Sequence, residues 1–461
     1  MSSSGHGSSH PPHPHVALLP SAGIGHLTPF LRFAVSLISQ QCQVTLITTH
    51  PIVSLAESEL ISTFLAAFPE EQFHLLPFDP TTASSTDPFA LKWESIRRSA
   101  HLLYPLLASL SPPLSALVSD VSLISSVVAV TETLTLPNYI LFPSSARMFS
   151  FFAYYPTLLS KIAGSDHFDS CDEVLQVPGG KPIPKSSLPP PLLDPSSLFS
   201  SIFTEDSKKL GKLDGILINT FEELEPDSLH DLRAEKAQGL PKVFTVGLKA
   251  CEFERSSSSN TATLMKWLDG HLTGTVVFFC FGSRSAMTRE QIREIGKGLL
   301  ASGSPFLWKV KDNILDKEDA ESLDVVLGDE LWERINEKGM VVKEWVCQAE
   351  ILGHRAVGGF VSHCGWNSIT EAVWHGVPLL AWPISAEVVD KRGFGVWPKT
   401  WGWAGGVMVK GEEIGSRIKE MMGSESVKQK AAMLREEARK AIGAGGCCEN
   451  ALMELIGAWK I

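Results

Sequence analysis

The sequence lacks the features that would place it in a membrane or in a disulfide framework. No apolar run approaches the roughly 18 residues of a membrane span, and Val276–Phe281 has only the length of a buried strand. The N-terminus has neither an apolar signal core nor an arginine-rich amphipathic pattern, so residues 1–14 are expected to form a disordered leader. The eight cysteines include no CxxC pair, and only Cys447 and Cys448 are close in sequence. A cytoplasmic protein with reduced thiols is expected.

Positive charge is also in short supply. There are 40 Lys and Arg residues against 51 Asp and Glu residues, and the formal net charge is −11. Such a chain repels a polyanion on average, so nucleic acid is not an expected partner. The sequence has no HExxH motif, no paired cysteines and no convincing DxD-like loop, so no metal cofactor is expected.

Strand-like and helix-like segments alternate through both halves of the chain. Strands are predicted at His15–Pro20, Val44–Thr49, Phe73–Phe78, Ala116–Ser119, Tyr139–Phe142, Ile216–Asn219, Val276–Cys280, Phe306–Val310, Met340–Val342, Gly359–Ser362 and Leu379–Trp382. Such alternation is typical of parallel sheets covered by helices on both faces. The sequence therefore predicts an α/β protein with two doubly wound domains, whose ligands bind beyond the carboxyl ends of the strands.

A polar segment separates the two halves. Glu254–Thr263 (ERSSSSNTAT) interrupts the regular pattern and is predicted to be a linker. The segment from about Ser426 to Ile461 is predicted to be helical and amphipathic. The expected units are a first domain at 15–249, a linker at 250–264, a second domain at 265–440 and a C-terminal helix at 441–461.

The most informative stretch runs from Trp345 to Glu387. Gly359–Ser362 is a predicted strand, and the residues 363–368 (HCGWNS) turn from it into a helix that reaches about His375. A strand–turn–helix junction presents unpaired backbone N–H groups at the positive end of a helix dipole. That arrangement suits a phosphate, although an ordinary Rossmann-like turn has the same pattern.

Polar side chains cluster at this junction. His363, Asn367 and Ser368 add donors to the turn. Glu371 lies one turn into the helix, where its carboxylate can accept a ribose hydroxyl, and Trp345 offers a flat face to a base. Taken alone, these residues leave two interpretations open: a nucleotide site in the second domain, or an ordinary Rossmann-like turn with a tryptophan in the core.

The whole string from 345 to 387 closely resembles the signature box of plant family 1 UDP-glycosyltransferases. Further motifs fall at that family's usual places: the GxGH turn at 23–26, the strand that ends at Asp120, the NTFEEL segment at 219–224 and the FGS segment at 281–283. The resemblance covers nearly the whole chain. It implies the GT-B fold, with acceptor binding in the first domain, donor binding in the second and the C-terminal helix packed back on the first.

The resemblance also implies the contacts of a UDP-sugar. Trp345 stacks on the uracil, and the backbone of Val346 reads the uracil edge. Gln348 and Glu371 bind the ribose, and Trp366 contacts the sugar. The diphosphate is held by Ser283, His363, Asn367 and Ser368.

The end of the box departs from the family's pattern, in which an acidic residue followed by Gln binds glucose hydroxyls. An ungapped comparison keeps Glu387 as the acid but puts Val388 in place of the Gln. A gapped comparison makes the chain a few residues short, and both side chains are then missing. Each buried group left unpaired costs about 1–3 kcal/mol, so sugar choice and turnover stay open.

The acceptor site centres on His26, which follows Gly23-Ile24-Gly25 after the first strand. If the end of the strand at Asp120 is its neighbour, Asp120 can hold one imidazole nitrogen and leave the other as a base. On spacing alone, a histidine near a turn is more often structural. The family resemblance makes His26 and Asp120 the catalytic pair.

Several segments resemble the C-glycosylating branch, which acts on flavonoid-type polyphenols; they are 18–34, 78–103, 136–156 and 281–299. Within them Pro143 stands where Thr is expected, so an acceptor-side contact to the sugar is absent or passes to Ser144 or Ser145. A dense set of phenylalanines at 142, 149, 151 and 152 supplies pocket or, more commonly at such density, core residues.

The sequence therefore predicts an inverting, UDP-glucose-dependent C-glucosyltransferase that acts as a monomer on a small phenolic acceptor, such as a 2-hydroxyflavanone or a phloretin-like compound. Two alternatives stay open: an O-glucosyltransferase of similar phenols, and a UDP-binding protein with impaired catalysis owing to the short end of the box. A dehydrogenase is excluded, because no GxGxxG follows the first strand and Thr48-Thr49-His50 ends the second, where an acidic residue would be needed.

Overall fold

The computed structural model of the protein describes residues 13–21, 23–50, 55–77, 94, 96–163, 174–175, 177, 183–184, 188, 190–234, 239–247, 251–254, 259–282, 287–311, 322–382, 387–401 and 407–460. Most of the predicted leader lies outside these ranges. Within the described part of the chain, none of the helices combines the length and the hydropathy of a membrane span.

Strands and helices alternate as the sequence predicts. The strands are β1 (His15–Leu19), β2 (Gln43–His50), β3 (Gln72–Pro77), β4 (Ala116–Asp120), β5 (Asn138–Phe142), β6 (Val174–Leu175), β7 (Ile183–Pro184), β8 (Gly215–Ile218), β9 (Lys242–Thr245), β10 (Val276–Cys280), β11 (Phe306–Lys309), β12 (Gly339–Val342), β13 (Val357–Ser362), β14 (Leu379–Ala381) and β15 (Gly395–Val396). The α-helices are α1 (Ile24–Ser39), α2 (Leu55–Ala67), α3 (Ala100–Ser109), α4 (Ile124–Leu134), α5 (Ala146–Ala163), α6 (Pro190–Leu193), α7 (Leu198–Ser207), α8 (Pro226–Ala234), α9 (Ser259–Asp269), α10 (Arg289–Ser302), α11 (Leu323–Leu327), α12 (Asp329–Lys338), α13 (Gln348–Leu352), α14 (Trp366–His375), α15 (Glu387–Arg392), α16 (Gly411–Gly423), α17 (Glu425–Ile442) and α18 (Cys447–Trp459).

The first half of the chain builds a parallel sheet in the order β3-β2-β1-β4-β5-β8-β9. β1 pairs with β2 on one side and with β4 on the other, so that Val16 lies between Val44 and Ala116. The strand order reverses between β1 and β4. A crevice opens at such a switch point beyond the carboxyl ends of the strands, and this is where ligands bind in open α/β sheets.

The second half builds another parallel sheet, in the order β12-β11-β10-β13-β14-β15. Its order reverses between β10 and β13, which pair from Val276 with Val357 to Cys280 with Ser362. All five residues of β10 are buried, because helices cover both faces of the sheet; this explains the continuous apolar run VVFFC. Each sheet therefore has one switch point. His26 follows β1, Asp120 ends β4 and His363 follows β13, so these predicted site residues lie at the two switch points.

The structure corrects the predicted linker at 250–264. Helix α9 begins at Ser259, inside that range, because Leu264 and Leu268 are buried in the core around β10 and β13. Composition alone does not predict this helix, because its first residues belong to the polar SSSSN segment.

The segment predicted to be one helix from Ser426 to Ile461 forms two helices, α17 and α18. They are separated at Gly443–Gly446, where a side chain on Gly446 would collide with the carbonyl oxygens of α17. Leu455, Ile456 and Trp459 of α18 are buried in the core of the first sheet. The last helix thus returns to the first half of the chain.

Candidate active site

A cavity of about 890 Å³ lies where the switch points of the two sheets face each other. The residues that follow β1, β4 and β5 form one wall, and those that follow β10, β11, β12 and β13 form the other. This volume lies within the range of about 300–1,000 Å³ that is usual for small-molecule sites.

His26 and Asp120 meet on the first wall. The Nδ1 atom of His26 lies 2.7 Å from the Oδ2 atom of Asp120. Asp120 is fully buried, while 28% of the His26 side chain is exposed. The other oxygen of Asp120 accepts the backbone N–H of Ser122 at 2.9 Å and its hydroxyl at 2.7 Å. The carboxylate is therefore fixed from both ends.

This geometry determines the tautomer of the imidazole. A carboxylate only accepts hydrogen bonds, so Nδ1 of His26 carries the proton that it donates to Asp120. In the neutral ring, Nε2 then carries the lone pair and is the basic nitrogen. His26 lines the cavity, whereas Asp120 lies behind it. The pair has the arrangement of a general base and the residue that orients it.

The turn before His26 is held by a glycine and a buried glutamate. Gly23 has a φ of 93°, in the region that favours glycine, and it caps α1. Glu57 of α2 accepts the N–H of Gly23 at 2.8 Å. Helix α1 can therefore begin at Ile24, which places His26 in its first turn at the edge of the cavity.

The opposite wall is built by the turn from β13 into α14. The imidazole of His363 lies between Gly282 and Gly365, because a Cβ on either glycine would lie 2.7 Å or 2.6 Å from the ring. Gly282 has a φ of 71°, which also favours glycine. Burial lowers the pKa of His363 to about 4, so the ring is neutral near pH 7. A neutral imidazole keeps one N–H donor for an anion at the helix N-terminus.

The two residues predicted to bind ribose are in direct contact. Gln348, at the start of α13, donates its Nε2 to Glu371 at 2.7 Å and to Ser368 at 3.0 Å. Glu371 is 6% exposed, and its other oxygen accepts Nη2 of Arg32 at 2.6 Å. Arg32 belongs to α1 of the first half, and it was not predicted as a site residue from the sequence. The signal for it is an isolated charge in the apolar sequence LTPFLRFAVSL.

The other residues predicted to bind the donor line the cavity or contact the first half of the chain. Trp345 is 40% exposed and lines the cavity together with the buried Val346. The indole N–H of Trp366 donates to the carbonyl oxygen of Asn219 at 2.6 Å, and Asn367 donates its amide to that of Gly25 at 3.3 Å. Helix α14 therefore begins in contact with the first half of the chain, close to His26.

Three predicted positions stand apart from this group. Ser283 and the side chain of Glu387 lie outside the described residues. Ser144 lines the cavity, but Ser145 does not, because its hydroxyl accepts the N–H of Met148 at 3.1 Å and caps α5. A sequence pattern cannot separate these two serines, since both lie in the same short turn.

An apolar surface covers the side of the cavity near His26. It is formed by Val121, Phe142, Met148, Phe152, Phe199, Ile202 and Phe203. Of the four phenylalanines considered from sequence, Phe149 and Phe151 belong to the core instead. The residues from α7 were missed, although Phe199, Ile202 and Phe203 have helical spacing. Among the described residues, no group of three or more His, Cys, Asp or Glu side chains is placed to hold a metal ion.

The chain is similar to known proteins over most of its length. A family model described as UDP-glucoronosyl and UDP-glucosyl transferase matches residues 243–397. The chain is 54% identical to UDP-glycosyltransferase 708G2 of Citrus unshiu over 97% of both chains. It is 44% identical to UDP-glycosyltransferase CGT of Oryza sativa subsp. indica, over 96% of this chain and 95% of that one.

A solved structure extends the likeness to three dimensions. The crystal structure of LpCGTa in complex with UDP superposes with a TM-score of 0.85 at 42% identity, covering 98% of this chain and 100% of that chain. Together with the two facing parallel sheets, this match confirms the predicted GT-B fold.

Proposed function

This chain belongs to the plant UDP-glycosyltransferase family, and from that premise we propose that it transfers glucose from UDP-glucose to a ring carbon of a flavonoid-type polyphenol. The observation that carries the proposal is the His26–Asp120 pair. This pair lies beside the apolar surface and faces the turn from β13 into α14 across the same cavity. Two relatives support transfer to carbon: UDP-glycosyltransferase CGT of Oryza sativa subsp. indica and LpCGTa, whose names contain the abbreviation for C-glucosyltransferase.

The donor binds along the second wall in this proposal. Trp345 stacks on the uracil, Val346 meets the uracil edge, and Gln348 with Glu371 binds the ribose. The diphosphate lies at the N-terminus of α14, against His363, Asn367 and Ser368, where backbone N–H groups and the helix dipole favour negative charge. Ser283 is proposed to join them. These donors stabilise the departing UDP, so the proposed reaction uses no metal ion.

The acceptor is a phenol with further hydroxyls on the same ring. His26 Nε2 takes the phenolic proton, and the negative charge of the phenolate spreads to the ortho carbon. That carbon forms a bond to the anomeric carbon of the α-linked glucose from the opposite face, while the bond from that carbon to UDP breaks. The attacking carbon then gives up its proton to solvent water, the former phenol oxygen regains a proton from the His26 imidazolium, and the ring becomes aromatic again. The products are a β-C-glucoside and UDP.

The rate enhancement divides between two effects. General-base assistance by a positioned imidazole is worth about 10²–10⁴-fold. Holding the two substrates in line in one cavity supplies much of the remainder. Both walls come from one chain, which supports the proposal that the protein acts as a monomer.

O-Glucosylation of the same phenols is the second candidate. It needs the same base and the same donor, and only the orientation of the acceptor in the cavity differs. Ser144 and the apolar surface set that orientation, while Glu387-Val388 leaves sugar choice open.

Product chemistry tests the proposal. The protein is incubated with UDP-glucose and a phloretin-like or 2-hydroxyflavanone acceptor, and the product is heated in acid before mass spectrometry. A C-glucoside survives this treatment. An acid-labile product would establish the O-glucosyltransferase instead. UDP binding without product from a panel of UDP-sugars and polyphenols would favour a binding protein with impaired catalysis.

A further inference from the structure

Arg32 is a buried charged side chain in α1. It is 1% exposed, and its neighbours Leu31 and Phe33 are fully buried. An isolated charge in such surroundings is costly, so a buried arginine persists where partners match its charge and its donors. Its partners therefore indicate why the position carries an arginine.

Two carboxylates from different parts of the chain meet this guanidinium. Glu254, in the segment between the two sheets, accepts Nε at 2.8 Å and Nη2 at 2.7 Å. Glu371, on α14 of the second half, accepts the same Nη2 at 2.6 Å. Burial alone would lower the pKa of Arg32, but the two carboxylates outweigh it and raise that pKa, so the group stays charged. The planar fork of an arginine suits this double contact.

Glu371 is thereby held at both oxygens. One oxygen accepts Arg32, and the other accepts Nε2 of Gln348 at 2.7 Å. Burial raises the pKa of Glu371, and Arg32 opposes that shift. An ionised carboxylate has about four lone-pair sites, so each oxygen keeps room for a further donor such as a ribose hydroxyl.

One nitrogen of the Arg32 guanidinium makes no hydrogen bond to the described residues. Nη1 of Arg32 is buried without a hydrogen-bond partner among the described residues, and Arg32 lines the main cavity. A buried donor of this kind is expected to find a partner when the cavity is filled, because an unmet hydrogen bond is costly. Glu254 also accepts the backbone N–H of Cys251 at 2.8 Å, which anchors the whole group to the segment between the sheets.

We propose that Arg32 is a positioning residue of the donor site. Arg32 lies on the first domain and contacts the Glu371 carboxylate of the second, which it orients toward the ribose hydroxyls. The affinity for a UDP-sugar therefore depends on the contact between the two domains. This inference rests on the proposed UDP-sugar donor.

Two ligands that differ only in the ribose test the inference. Calorimetry gives the dissociation constants of UDP and of 2′,3′-dideoxy-UDP for the wild-type protein and for Arg32→Lys. A lysine keeps the charge but cannot reach both carboxylates in the same geometry. Arg32→Lys should bind UDP about tenfold more weakly, the effect of one charge-assisted hydrogen bond. Its affinity for the dideoxy ligand should change by less than about twofold.

A matched variant and a second variant complete the test. Arg233, whose guanidinium pairs with Glu222 on the surface, is changed to Lys and should leave both affinities unaltered. If Arg32→Lys does not fold, Glu254→Gln removes the anchor alone and should also weaken UDP selectively. Equal losses for both ligands, or no loss for UDP, would overturn the positioning role. Failure of the wild-type protein to bind UDP would instead overturn the proposed donor.

Discussion

The Nδ1 atom of His26 lies 2.7 Å from the Oδ2 atom of Asp120, although the two residues are 94 positions apart in the sequence. Their proximity follows from the strand order, in which β1 and β4 are neighbours at the switch point of the first sheet. The carboxylate selects the tautomer of the ring, so that Nε2 of His26 is the basic nitrogen of the site.

Changing Asp120 to Asn should lower turnover by about 10²–10⁴-fold, because an amide can stabilise the wrong tautomer and cannot balance the imidazolium. UDP affinity should stay nearly constant, since Asp120 does not line the cavity. Steady-state rates at saturating UDP-glucose and calorimetry with UDP check both parts. Turnover within about twofold of the wild type would remove Asp120 from the catalytic pair.

Gly365→Ala should weaken UDP binding by about tenfold or more, because its Cβ would lie 2.6 Å from the His363 ring and displace it. Gly457→Ala is the matched control. Gly457 lies in α18, and a methyl group added there would have nothing within 4 Å, so that variant should bind UDP normally. Calorimetry with UDP compares the two alanines; equal affinities would show that the ring position does not matter for the donor.

Trp345→Ala should raise the dissociation constant of UDP by about tenfold, since stacking of a base on an aromatic ring contributes about 1–3 kcal/mol. The melting temperature should hardly change, because 40% of the side chain is exposed. Trp345→Phe should recover part of the affinity. A mutant that binds UDP as the wild type does would place the uracil elsewhere.

Two half-buried histidines predict a loss of stability in acid. Burial lowers the pKa of His363 and of His375 to about 4, from 6.5. Between these values the unfolded chain binds protons that the folded protein does not, so the free energy of unfolding falls as pH decreases below 6.5 and is fully retained above it. Each group contributes at most about 1.4 kcal/mol per pH unit.

Denaturant unfolding between pH 7 and pH 4.5 measures this effect. His375→Asn should have a shallower pH dependence than the wild type, because one of the two groups no longer titrates. An unchanged slope would mean that His375 is already accessible to protons in the folded protein.

Much of the fold could be predicted because buried parallel strands are short apolar runs. β10 and β13 are clear examples, and each is followed by a glycine-containing turn of the proposed donor site. β9 (Lys242–Thr245) and β15 (Gly395–Val396) were missed. They lie at the edges of their sheets, where one is partly exposed and the other only two residues long, so neither has a distinct pattern.

The family resemblance predicted the His26–Asp120 pair across 94 positions, whereas local sequence patterns indicated site residues only within a single segment. The turn at 363–368 brings its own donors, and the resemblance of the string from 345 to 387 to the family's signature box identifies it. The contact between Arg32 and Glu371 spans 339 positions, and Trp366 donates to Asn219 across 147. No local periodicity encodes such pairs, because they depend on how the two sheets face each other.

The central claim is that an imidazole at the cleft deprotonates the acceptor while the opposite wall holds UDP. The measurement that tests it most directly compares His26→Ala with the wild type for glucosylation of a phloretin-like acceptor and for UDP affinity. Glucosylation should be abolished, and the dissociation constant of UDP should stay within about twofold, because the base touches the acceptor and not the nucleotide. Unchanged glucosylation by His26→Ala would contradict the account.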